Sequence, residues 1–173
     1  PPPCPLARSL IAFLAKLPDR PHKGIAMHIA PHDNQNRAIV DTEHALVPLV
    51  YFNIVTLKAG EHFDYRTPGY ETCVVPATGT VTVETTGETF AAIGNRGADV
   101  WDGEPEGVYV PTDAGTRITA LTDTEIFIAG AKFAETLRPF AVRAADIDKV
   151  QDGSDDPRIH RKIKYLVGAA YNH

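Results

Sequence analysis

The residues able to do chemistry are spread along this chain rather than gathered in one motif. Among seven histidines, His28 and His32 stand four apart. That spacing would bring two imidazoles onto one helical face as metal ligands, but Pro31 lies between them and breaks a regular helix. His62 and Asp64 are two apart and would share one face of a strand. Glu71 could join them from the next strand, so the trio reads either as a cation site or as polar surface around a turn. No Gly-x-Ser-x-Gly elbow exists, and the only serines, Ser9 and Ser154, fall outside the strand region. Cys73 sits in the apolar run Thr72-Cys73-Val74-Val75 and reads as a core thiol. Cys4 is remote from it, so no disulfide framework or metal knuckle is expected. Gly94-Asn95-Arg96-Gly97 lacks the lysine and helix of a phosphate-binding loop.

The most distinctive segment runs from Gly94 to Pro111 and carries Trp101 between Asp99 and Asp102, with Gly97, Gly103 and Gly107 around it. One reading is a twisted connection that needs positive φ at these glycines and buries Trp101. The other has Arg96 pairing with an anionic ligand or with Asp99.

The elements that would position these groups are strands. Val47 to Leu57, Tyr70 to Val75 (ending at Pro76), Thr80 to Thr85, Thr89 to Ile93, Val108 to Val110, Arg117 to Leu121 and Glu125 to Ala131 are apolar or alternating, with Gly or Pro in nearly every gap. About eight strands at roughly ten-residue spacing, with no room for crossover helices, predict an all-β antiparallel sandwich or barrel. After Pro139, Val142 to Ile147 reads as a short helix or edge segment, and Gln151 to Pro157 as a polar loop. Arg158 to Val167 has Ile159, Ile163, Tyr165 and Val167 at odd positions and predicts an isolated strand. It would open a second module absent from the chain, or pair with the sheet or another subunit.

The bulk numbers bound the class. With 173 residues, 43% apolar and 23% charged, one folded domain with short extensions is expected. A net charge of -5 argues against nucleic acid as the main partner, because that role favours a basic face. The apolar run Ser9 to Ala15 is too short to span a bilayer and has no cleavage site after it, so neither a membrane partner nor a signal peptide is expected. A soluble, cytoplasmic protein follows as the expectation. Residues 1–26 hold Arg8, Lys16, Arg20 and Lys23 against Asp19 alone, and the sole methionine is Met27. Two readings stay open there: an extension ahead of a natural start near Met27, or a processed terminus with a short helix over Leu6 to Leu17.

Taken in order, Leu57-Lys58-Ala59-Gly60-Glu61, Glu71 to Val75, Gly79 to Val83, Ile93-Gly94 with Asp99-Val100-Trp101-Asp102-Gly103-Glu104-Pro105, and Val108-Tyr109-Val110-Pro111 resemble the N-terminal module of 5-deoxy-glucuronate isomerases. These are bicupins of inositol breakdown, related to the 5-keto-4-deoxyuronate isomerases. The likeness covers roughly Val50 to Val167. It implies an antiparallel, cupin-like jelly-roll β-sandwich with a short N-terminal helix or extension. Its domains would be an extension over 1–26, the jelly roll over 27–145, and a linker with the start of the absent module over 146–173.

The resemblance also implies aldose–ketose isomerisation through an enediol, with a divalent metal polarising the carbonyl. The metal ligands, three histidines and a glutamate, belong to the second module of the family. Laid on this chain, the cupin ligand pattern (His-x-His, four residues, Glu, then a later His) falls on Asp64, Arg66, Glu71 and Ile118. Arginine and isoleucine cannot ligate a cation, so no metal or other cofactor is expected in this chain and no catalytic residue is assigned. The expected partners are a small sugar acid in the full-length enzyme and a second cupin module or further copies of the chain. A second hypothesis is a stand-alone, non-catalytic binder of a small acid or sugar, with Arg66, Glu71, Tyr109 and Arg117 around an interior ligand site.

Overall fold

The computed structural model describes residues 33–44, 46–147, 149–152, 158 and 161–167. All belong to one unit spanning Asp33–His173. The N-terminal extension or helix, Met27, Cys4, the His28–His32 pair and His160 lie outside the described residues.

Eight strands build a jelly roll of two sheets that share one long strand. They are β1 (Val50–Leu57), β2 (His62–Tyr65), β3 (Tyr70–Thr85), β4 (Glu88–Arg96), β5 (Gly107–Val110), β6 (Thr116–Ala120), β7 (Thr124–Lys132) and β8 (Phe140–Val142). The first half of β3 pairs with β7 and β5, giving the order β1-β7-β3-β5-β8. Its second half pairs with β4 and β6, and β2 continues from β6. Every pairing is antiparallel.

Two strands were expected where β3 runs unbroken through Pro76. Pro76 lacks an N–H for the ladder, and the register with β7 shifts between Pro76 and Thr78. At Gly79 the backbone takes φ +72, and a Cβ there would collide with the Asp123 carbonyl oxygen. Proline and glycine here bend one strand from the first sheet into the second rather than ending it.

The alternation seen in the sequence sets the core. Val55, Val74, Val83, Ile118, Ile126 and Ile128 are fully buried between the sheets. The outer faces differ. On the first sheet the cross-strand row Phe52, Ala129, Cys73, Tyr109, Phe140 is apolar throughout, and Val50, Ile54, Phe127 and Val75 flank it. Tyr109 and Phe140 stack with ring centroids 5.0 Å apart. On the second sheet the matching rows are Thr89, Glu84, Arg117, Asp64 and Thr82, Thr119, His62, a solvated surface.

A 3-10 turn over Ala144–Asp146 follows β8. Then β9 (Lys149–Asp152) pairs antiparallel with β10 (Arg161–Lys164). The basic C-terminal segment is therefore not an isolated strand: it pairs with β9, which takes up Gln151 and Asp152 of the expected polar loop, and residues 153–157 of that loop lie outside the described residues. Lys149–Asp152 was missed because it is short and mixed in character. Among the described residues no helix is long and apolar enough to cross a membrane.

Candidate functional site

The barrel interior holds a cluster of hydroxyl groups at one end. Tyr65 closes β2 and pairs across the ladder with Thr116 at the start of β6, which pairs with Thr85 at the end of β3. Thr72 reaches in from the first sheet, and its Oγ1 lies 2.8 Å from Tyr65 Oη. Thr116 Oγ1 donates to Thr85 Oγ1 at 3.1 Å, and Thr85 Oγ1 donates to the Gly115 carbonyl at 3.3 Å. Thr67 is also buried and donates to the Tyr70 carbonyl at 3.4 Å. Burial pushes the Tyr65 phenol far above its ordinary value, while hydrogen bonds to Thr72 and Thr116 pull the other way. The phenol is neutral at every physiological pH. A cleft of about 630 Å³ at the edge of the second sheet is lined by Tyr65, Thr85 and Thr116 together with the outer-face residues Asp64, Glu84 and Arg117.

These residues correct the register of the ligand pattern. His-x-His-x4-Glu placed one residue later falls on Tyr65, Thr67 and Thr72, and the inward residue that faces Tyr65 across the ladder is Thr116, two before Ile118 on the same inner face. In strands a one-residue slip reverses every side chain. Asp64 and Arg117 accordingly meet on the outer face, where Arg117 donates to both Asp64 oxygens at 2.7 and 2.8 Å. That bidentate bond holds the Asp64 carboxyl below its usual range. Arg66 is exposed, its Nε donating to the Asp113 carbonyl at 2.9 Å. Ile118 is fully buried core. The signal for the inward set was present: Val74 assigns Thr72 to the inner face, and Ile118 with Ala120 assigns Thr116.

The four residues expected around one interior site are therefore divided. Glu71 and Tyr109 meet on the outer face of the first sheet, Tyr109 Oη donating to Glu71 Oε2 at 2.6 Å. Arg66 and Arg117 lie apart from them at the surface. His62 Nε2 stands 3.8 Å from Asp64 Oδ2, yet Glu71 is turned away on the other sheet, so the proposed trio is not assembled. Burial pushes the Cys73 thiol up to about 12, which keeps it protonated and inert.

The donor set inside the barrel does not fit a resident catalytic cation. Zinc, manganese and iron sites are built from imidazole, carboxylate or thiolate. Here the inward positions offer threonine hydroxyls and a neutral phenol, already bonded to one another or to carbonyls. Among the described residues no three His, Cys, Asp or Glu side chains lie together in a way that could hold a metal.

A second polar centre was not foreseen. Glu106 is buried between β4 and β5, and its oxygens accept from Gly94 N at 2.9 Å, Ala144 N at 3.1 Å and Arg143 Nη1 at 3.2 Å. Arg143 also donates to the carbonyls of Ala92 and Ala91 at 2.6 and 2.7 Å. This is a fastening between β4 and the chain after β8. Nothing local in the sequence marks it, since Glu106 sits in an acidic stretch with Asp102 and Glu104.

The loop between β4 and β5 departs from expectation too. Trp101 is 88% exposed rather than buried. Gly97, Gly103 and Gly107 do not take positive φ. They are needed because neighbours approach closely: a Cβ would lie 2.7 Å from Asp102 Oδ2 at Gly97 and 2.9 Å from the Asn95 carbonyl at Gly103. Asp99 is used by its own turn, accepting from Trp101 N at 2.9 Å, rather than by Arg96.

With the jelly roll and its interior defined, comparison with known proteins places the chain. The model of the KduI/IolB family matches residues 27–172. The chain belongs to that family. The 5-deoxy-glucuronate isomerase of Bacillus subtilis (strain 168) is 28% identical over 108 residues, covering 62% of this chain and 40% of that protein. The 5-deoxy-glucuronate isomerase of Shouchella clausii (strain KSM-K16) is 29% identical over 110 residues, with the same shares. This KduI/IolB-family chain thus spans about 40% of the length of the curated relatives it matches. In fold it is similar to the crystal structure of an IolB-like protein from Salmonella typhimurium LT2, with a TM-score of 0.74, 21% identity, and 84% of this chain and 55% of that one covered. A putative glyoxylate-induced protein from Pseudomonas aeruginosa shares the jelly roll more distantly, with a TM-score of 0.51, 14% identity, and 71% of this chain and 44% of that one covered.

Proposed function

We propose that this jelly roll is the non-catalytic module of a cytoplasmic KduI/IolB-type aldose–ketose isomerase of inositol breakdown, acting on 5-deoxy-glucuronate. The observation that carries the reading is the inward hydroxyl set of Tyr65, Thr67, Thr72 and Thr116. An isomerase must move a proton between neighbouring carbons and polarise a carbonyl. Four satisfied hydroxyls supply neither a base near neutral pH nor a cation site. The chemistry therefore belongs to another module, and this one supplies a rigid partner sheet. Its apolar outer row of Phe52, Ala129, Cys73, Tyr109 and Phe140 suits sheet-on-sheet packing, which the solvated second face does not.

The test is metal analysis and an isomerase assay on the purified chain after dialysis against a mild chelator. No stoichiometric divalent ion and no turnover are expected. One tightly held ion per chain, or turnover of 5-deoxy-glucuronate by the chain alone, overturns the reading.

A further inference from the structure

An 88%-exposed tryptophan on a well-fastened loop is the feature that the scaffold role leaves unused. The loop between β4 and β5 is tied at four points. Asp99 N donates to Asp102 Oδ2 at 3.1 Å, Asp102 N to the Asp99 carbonyl at 3.1 Å, and Trp101 N to Asp99 Oδ1 at 2.9 Å. Arg96 Nε donates to the Gly103 carbonyl at 3.1 Å. The close approaches at Gly97 and Gly103 pack the turn further. Such a loop spends its hydrogen bonds on holding an indole out in water.

Beside the indole lies a cleft of about 610 Å³, lined by Arg96, Val100, Trp101, Asp102, Glu104 and Lys164 among others. Lys164 Nζ is paired with Glu104 at 2.7 Å. Arg96 is different. Its Nε is used, which fixes the plane of the guanidinium, while its two terminal nitrogens have no partner among the described residues. A half-buried, pre-oriented guanidinium edge is shaped for a carboxylate taken by two parallel bonds. The exposed indole that lines the same cleft is shaped for a flat apolar ring face. Asp102, which also lines the cleft, adds an acceptor that a hydroxylated ring can satisfy and a bare aromatic acid cannot.

We propose that the Arg96–Trp101 cleft is a binding site for a sugar acid: the carboxylate pairs with Arg96, and the ring lies against Trp101. The site goes beyond the scaffold reading. It is built on the β4–β5 loop, apart from the hydroxyl cluster, so its failure leaves the metal analysis untouched and the converse holds.

Trp101 is the sole tryptophan, so its fluorescence reports on this loop alone. D-glucuronate, D-glucose and benzoate are titrated into the intact chain. A saturable change with glucuronate is expected, with glucose and benzoate each weaker by about tenfold or more because one lacks the carboxylate and the other the hydroxyls. Arg96→Gln is expected to weaken glucuronate by about tenfold or more. Arg96→Lys keeps the charge but loses the fork, and is expected to fall between. Iodide quenching of Trp101 in both variants checks that the indole stays exposed, and binding to a Trp101→Phe variant, followed by calorimetry, is expected to be weakened. No saturable change up to about 50 mM glucuronate overturns the site, since that concentration lies beyond even weak specific recognition. Equal response to glucose or benzoate, or unchanged affinity in Arg96→Gln with Trp101 still exposed, overturns it as well.

Discussion

Tyr65 Oη and Thr72 Oγ1 meet 2.8 Å apart inside the jelly roll, joining its two sheets at positions where a metal-binding cupin would place ligands. Both belong to strands whose neighbours, Asp64 and Glu71, face the opposite way. The contact shows how one fold carries two kinds of interior. Hydroxyls that satisfy each other make a closed structural core from the same positions that imidazole and carboxylate would make into an open site.

Tyr65→Phe removes one partner of this buried contact and leaves Thr72 and Thr116 short of an acceptor or donor. A loss of about 1–2 kcal/mol is expected in urea unfolding, largely independent of salt. Arg117→Ala breaks the Asp64 pair on the solvated face instead. Its smaller loss should fade as salt is raised, because exposed pairs are screened. A Tyr65→Phe variant as stable as the parent would show the interior contact to be dispensable.

Glu106 gives a pH signature. Burial alone would raise its carboxyl, but hydrogen bonds from Ala144 N and Gly94 N and the Arg143 guanidinium outweigh burial and lower it. A carboxyl lowered in the folded state stabilises fully above the ordinary value near pH 4.3, and the contribution is lost as pH falls through the lower folded value. Glu106→Gln should therefore cost about 2 kcal/mol between pH 5 and 7, with the gap to the parent narrowing below about pH 4. Unfolding midpoints measured across that range decide it, and a gap that widens with acid would reverse the assigned sign.

The glycines at the sheet crossing should be far less tolerant than those in open turns. Gly94 has φ +100, and a Cβ there would lie 2.5 Å from the Gly79 carbonyl and 3.1 Å from Pro76 Cβ. Gly94→Ala adds a clash to backbone strain and is expected to cost about 3 kcal/mol or more. Gly60, with φ +86, has open space around it, so Gly60→Ala carries the strain alone, about 1–2 kcal/mol. Thermal unfolding of the two variants side by side separates the terms, and equal losses would mean the crossing is not tightly packed.

Much of the fold was legible from the chain. Thr80 to Thr85 and Arg117 to Ala120 alternate so strictly that their inner faces follow from period two alone. The regular Gly and Pro punctuation predicted a sandwich, and the structure has one. Pro76 misled, because a proline ends most strands and here sits at a bulge where the strand changes sheet. Trp101 misled because aromatic side chains are mostly buried, while this one is held out by hydrogen bonds of its own loop. Arg143 and Glu106 were unreadable: they lie 37 positions apart, and nothing local records that their strands will be neighbours.

The sequence by itself determined the class of architecture and the family, because periodicity, turn residues and the order of short motifs are local properties of the chain. Tertiary structure alone decided which residues of distant strands meet, and so put Tyr65 against Thr72 inside, Glu71 against Tyr109 on the outer face, and Glu106 against Arg143. The physical reason is that period two assigns the faces within one strand, while the pairing and register of strands far apart in the chain are set only when the sheets form.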